Sequence, residues 1–189
     1  MATSFGDPLR PGFRARRAPH ARAVKRAAVL LLAATLLGGC APEPGPEVGR
    51  RAPDYSGRFL DGDPFRLADL RGDVVLLNIW ATWCYPCRRE MPSLETLHRD
   101  FRAHGLRVVA VSIDAAGADA EIRSFLEEFG ITFPTVHDPE QHVTRTFRIR
   151  GVPETFLIGR DGRIVHHWVG RIDGRSALVR ERVRAALAG

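Results

Sequence analysis

An α/β fold is expected for this 189-residue chain from three features. Two near-continuous apolar runs, Val74 to Trp80 and Leu106 to Ile113, suit strands buried on both faces of a central sheet. Each is followed by residues at helical spacing: Met91, Leu94, Leu97 and Phe101 after the first, Ala118 to Phe129 after the second. Near the end, Thr155 to Ile158 and Ile164 to Val169 flank Arg160-Asp161-Gly162, the signature of an antiparallel hairpin with an Asp-Gly turn.

Ala52 to Leu70 opens the exported domain, with Asp61-Gly62-Asp63 between short apolar stretches, and reads as an N-terminal hairpin. The strand Val74 to Trp80 hands over to a helix that should kink at Pro92 and end at Gly105. After the second buried strand, the helix Ala118 to Phe129 stops at Gly130, and a short strand follows around Thr132 to Val136. Pro139 to Phe147 reads as a short helix with proline in its first turn. Arg175 to Leu187 closes the chain as an amphipathic helix, and no internal repeat is visible.

The first forty residues read as an address. Seven Lys/Arg lead into Ala27 to Leu37, a largely apolar stretch of 11 residues, too short to span a bilayer comfortably but suited to a secretory signal. The stretch ends Leu37-Gly38-Gly39-Cys40, which resembles a bacterial lipobox with Cys40 as the lipidated first residue of the mature protein. Residues 1–39 are thus expected to be a lipoprotein signal peptide, 40–50 a Pro-rich tether, and 51–189 the folded domain. An uncleaved signal anchor is the alternative. The basic segment is long, and a start at Val24, from a GTG codon, would leave a compact leader.

The formal charge of +6 belongs to that leader. Residues 1–39 hold seven of the 28 Lys/Arg and one of the 22 Asp/Glu, so 21 of each sign remain. A nucleic-acid partner therefore has no support from charge.

Chemistry concentrates in Trp83-Cys84-Tyr85-Pro86-Cys87, where a strand gives way to a helix. At a helix N-terminus, unpaired N–H groups and the dipole favour a thiolate on the first cysteine. The second, about one turn inside, can displace whatever the first has attacked. Thiol–disulfide exchange is the reading this spacing favours. Half of a structural zinc site is a rival, but it needs two more ligands. Cys40 belongs to the leader, and the adjacent His166 and His167 should point to opposite faces of a strand. A merely structural disulfide is the other rival. No metal and no separate cofactor is expected beyond a redox-active Cys84–Cys87 disulfide.

Three segments carry a family resemblance, in order and at matching spacing: Asn78-Ile79-Trp80-Ala81-Thr82-Trp83-Cys84, Arg88-Arg89-Glu90-Met91-Pro92, and Gly151-Val152-Pro153-Glu154-Thr155-Phe156-Leu157-Ile158. Over about residues 50–185 the chain resembles the TlpA/ResA/CcmG (DsbE) group of membrane-tethered thiol–disulfide reductases. That resemblance implies a thioredoxin fold with an N-terminal β-hairpin and an αβ insertion. Cys84 would be the nucleophile and Cys87 the resolving thiol. Asn78 stands where ordinary thioredoxins carry a buried Asp, and Glu90 would take over proton handling. A solvated Glu90 at the edge of the apolar stripe is the bland alternative. Val152 and a cis Pro153 would face the dithiol and pair with a substrate strand. Glu154 would favour a cationic substrate segment, Trp83 would offer a docking surface, and Tyr85 and Pro86 would tune the dithiol.

The resemblance further implies a periplasmic or extracytoplasmic location, anchoring through a lipid, and a CcdA/DsbD-type transmembrane electron donor. Apocytochrome c, whose C-x-x-C-H cysteines must be reduced before haem attachment, is the leading substrate. Other exported thiol proteins or copper-assembly factors are the alternative. A copper metallochaperone and a periplasmic oxidase are rival readings. So is a peroxiredoxin, which shares the fold but needs Pro and Thr where this chain has Leu77 and Ala81.

Overall fold

A computed structural model describes residues 46–189. Its strands are β1 (Ser56–Phe59), β2 (Pro64–Arg66), β3 (Val74–Trp80), β4 (Leu106–Ser112), β5 (Thr135–His137), β6 (Glu154–Ile158) and β7 (Ile164–Val169). The helices are α1 (Tyr85–Phe101), α2 (Asp119–Glu128), α3 (His142–Thr146) and α4 (Ala177–Ala188). The strands form one sheet in the order β2-β1-β5-β4-β3-β6-β7. β3 runs parallel to β4, and β4 to β5, while β6 and β7 return antiparallel on the other side. This is the thioredoxin fold, with the β1–β2 hairpin at one end of the sheet and α2–β5 as the inserted unit. The signal peptide, Val24 and Cys40 lie outside the described residues, as does the tether up to residue 45.

All seven residues of β3 are buried, as an apolar run in mid-sheet requires. Its alternation gives each face a different neighbour. Leu77 pairs with Phe156 on β6, and Phe156 stacks on His167 at 4.2 Å and meets the tilted ring of Phe147 at 5.0 Å. Asn78 pairs with Thr155, and on this face the side chain of Glu90 comes down from α1. Trp80 packs on Phe125 of α2 at 5.0 Å. α4 is held against α1 through Arg180, which meets Asp100 at 2.8 Å and covers the ring of Phe101.

Two elements are shorter than the pattern suggests. The helix expected from Pro139 begins only at His142, because Gln141 takes a left-handed conformation (φ 54°) and the Asp138 carboxylate accepts the N–H groups of His142 and Val143. The strand expected from Thr132 starts at Thr135, because the Thr132 N–H donates to Glu95 of α1 rather than to a strand. α1 itself runs through Pro92 to Phe101. Contacts of the domain reach back to Gly49, whose N–H donates to Ile164 O at 2.7 Å, within the stretch read as tether. Among the described residues no helix is long and apolar enough to cross a membrane.

Candidate active site

The turn after β3 places Cys84 at the N-cap of α1. Its sulfur accepts the Cys87 N–H at 3.2 Å, so the two cysteines sit one turn apart and are joined in a disulfide. Pro86 falls in the first turn, where a missing N–H costs no helical hydrogen bond. Both cysteines are buried, whereas the flanking Trp83 and Tyr85 are about two-thirds exposed, at 66% and 67%. Access to the sulfurs is therefore framed by two aromatic side chains. Across from them, the Val152 carbonyl oxygen lies 3.5 Å from Cys84 Sγ, and the Val152–Pro153 bond is cis. A partly exposed backbone beside the sulfur is what an extended substrate segment could pair with.

Glu90 is not a solvated edge residue: it is 1% exposed. One carboxylate oxygen accepts from Asn78 Nδ2 at 2.7 Å, and the other from the Ile172 N–H at 2.7 Å. Asn78 also donates to Thr155 Oγ1 at 2.9 Å, so β3, β6 and the segment before α4 converge on one carboxyl. Burial raises the Glu90 pKa to about 7, against the opposing pull of Ile172, Asn78, Thr155 and the Arg171 charge. The Ile172 segment can approach α1 because residue 174 is glycine: a Cβ there would lie 2.4 Å from the Ser93 carbonyl oxygen. The Gly174 N–H donates to Ser93 Oγ at 3.0 Å, which fixes this contact.

Glu154 departs from its expected role. It is 3% exposed, with one oxygen accepting the Arg150 N–H at 3.0 Å and the other 2.9 Å from His167 Nε2. A carboxylate so covered does not present itself to a cationic substrate segment. It ties down the loop that carries Val152 and Pro153. His167 faces Glu154 and Phe156 while His166 packs on Trp168, so the adjacent histidines do diverge. Among the described residues no cluster of three or more His, Cys, Asp or Glu could hold a metal ion.

Sequence reasoning missed Asp114. Buried past the end of β4, it accepts the Thr82 N–H at 3.0 and 3.2 Å, the Thr82 hydroxyl at 2.7 Å and the Ser112 hydroxyl at 2.6 Å. Thr82 lies two residues before Cys84, so this carboxylate anchors the turn that delivers the dithiol. The available signal was the polar Ser112 and Asp114 interrupting an apolar run at its carboxyl end, where α/β sheets keep their sites.

The sequence profile of the AhpC/TSA family matches residues 48–167. The chain belongs to that family. Within it, the chain is 34% identical over 124 residues to the thiol-disulfide oxidoreductase ResA of Bacillus thuringiensis, covering 66% of this chain and 70% of the relative. It is 39% identical over 117 residues to ResA of Geobacillus thermodenitrificans, covering 62% and 66%. A crystal structure from Chlorobium tepidum, described as a thiol:disulfide interchange protein DsbE, superposes with a TM-score of 0.68 at 33% identity, covering 75% of this chain and 98% of that one. With its dithiol at a helix N-cap, this AhpC/TSA family member is a thiol–disulfide oxidoreductase of the ResA/DsbE type.

Proposed function

We propose that this oxidoreductase works in the reducing direction, tethered to a membrane outside the cytoplasm, and that it reduces the cysteines of apocytochrome c before haem attachment. The observation that carries the direction is Glu90, buried one helical turn from Cys87 with its pKa raised to about 7. A carboxylate there disfavours a second negative charge, which raises the cysteine pKa values. A dithiol with less stable thiolates is, other things equal, the more reducing partner.

In the reduced protein, the Cys84 thiolate attacks one sulfur of the substrate disulfide and expels the other as a thiolate. Cys87, its proton taken by Glu90, attacks Cys84 Sγ and expels the first substrate sulfur. Two electrons pass to the substrate, whose two thiolates take up one proton from Glu90 and one from solvent, and the Cys84–Cys87 disulfide is left behind. A transmembrane thiol carrier of the CcdA/DsbD type would return the two electrons. The cystine is held by Trp83, Tyr85 and the Val152 carbonyl while exchange proceeds.

Cys87→Ser produced in the native host should strand Cys84 in its mixed disulfide, to be identified by mass spectrometry. Apocytochromes c among the trapped species support cytochrome maturation. Copper-assembly factors or assorted exported proteins instead would keep the chemistry and overturn the substrate.

A further inference from the structure

We infer that the rim of the dithiol selects a substrate segment carrying acidic side chains beside its cystine; this deepens, and rests on, the reductase reading above. Four exposed arginines, Arg88, Arg89, Arg150 and Arg171, belong to the segments that border the Cys84–Cys87 pair. Arg88 follows Cys87 directly in α1, with its guanidinium carbon over the Phe125 ring of α2, 5.5 Å from the ring centre. Arg89 reaches back over Tyr85, between the two cysteines, with its guanidinium carbon 5.9 Å from the ring centre and Nη1 3.3 Å from the hydroxyl. Arg150 lies two residues before Val152, whose carbonyl touches Cys84. Arg171 lies between Gly170, whose N–H meets Pro153 O at 2.8 Å, and Ile172, whose N–H meets Glu90.

The acidic groups of the same region do not balance these charges. Glu90 and Glu154 are buried and turned inward. Asp114 is buried too and taken up by Thr82 and Ser112, and Asp173 is engaged by Arg175 at 3.1 Å; exposed Glu121 accepts from the Thr82 hydroxyl at 3.0 Å. The chain beyond residue 39 has equal numbers of cations and anions, so this face is a local departure rather than the domain average. Guanidinium forks match carboxylates bidentately, although each exposed pair contributes little alone. Together they set a field that speeds the encounter with an acidic partner and rejects a basic one.

The reduced full-length protein is mixed with two synthetic peptides that share one C-x-x-C cystine and differ only in flanking residues, Glu in one and Arg in the other. The readout is the second-order rate of cystine reduction. At about 0.01 M salt the acidic peptide should react roughly tenfold faster. The gap should close towards about 1 M salt, where the screening length shrinks from about 30 to about 3 Å. Combining Arg89→Glu with Arg150→Glu should transfer the preference to the basic peptide. Equal rates at low salt, or a preference for the basic peptide, would overturn the inference while leaving the reductase reading standing. Reduction of neither peptide would overturn that reading, and the inference with it.

Discussion

Glu90 and Asp114 are both buried carboxyl groups near one dithiol, yet the fold uses them differently. Asp114 takes its hydrogen bonds from Thr82 and Ser112, residues at the ends of the two central strands. Its partners are local to the turn that carries Cys84, so its effect is to hold backbone in place. Glu90 takes its bonds from Asn78 and from Ile172, 82 positions further along the chain. Burial outweighs those bonds and keeps a proton on the group up to about pH 7. One carboxyl holds the turn that carries Cys84, and the other, on the proposed reading, holds the proton that the dithiol exchanges.

The contrast can be broken most strongly through stability against pH. Glu90 titrates at about 7 in the folded domain and near its ordinary value of 4.5 when unfolded. Between those values the folded state holds a proton that the unfolded chain releases. The contribution is therefore complete below about pH 4.5 and lost as pH rises through about 7. At about 1.4 kcal/mol per pH unit across that window, the loss is about 3.5 kcal/mol. Denaturant unfolding of the oxidised domain across this window should show the decline, and Glu90→Gln should flatten it. An equal slope in the variant would remove Glu90 as the proton-holding group.

A smaller effect is expected at the anchor. Asp114→Asn keeps the shape but sets an amide donor against the donors of Thr82 and Ser112. It should cost about 2 kcal/mol of unfolding free energy with little change in the pH slope just described. A variant as stable as the parent would mean that the turn before Cys84 is held by other contacts.

The comparison also shows what a sequence can disclose. The dithiol, the buried strands and the three motif segments are local patterns, and each appears where the residues place it. The place of Glu90 near the dithiol follows from the family resemblance, while its position on an apolar helical stripe alone also allows a solvated edge; the bonds from Asn78 and Ile172 decide for burial. Asp114 was not foreshadowed, since its value depends on β4 ending beside Thr82, a relation set by the parallel β3–β4 register. Glu154 was misjudged for a similar reason. Its position after Pro153 suggests a place on the docking face, but pairing with β7 brings His167 within reach and turns the carboxylate inward. Gly174 gives no local sign of its use, because the backbone it admits belongs to α1.

The most direct test of the account is a titration of the two thiols in the reduced domain, in the parent protein and in Glu90→Gln. If the buried carboxyl governs the dithiol, removing its charge lowers at least one cysteine pKa and makes the domain a weaker reductant. Superimposable titration curves would show that Glu90 and the cysteines do not share a proton, and the reducing direction would lose its physical basis.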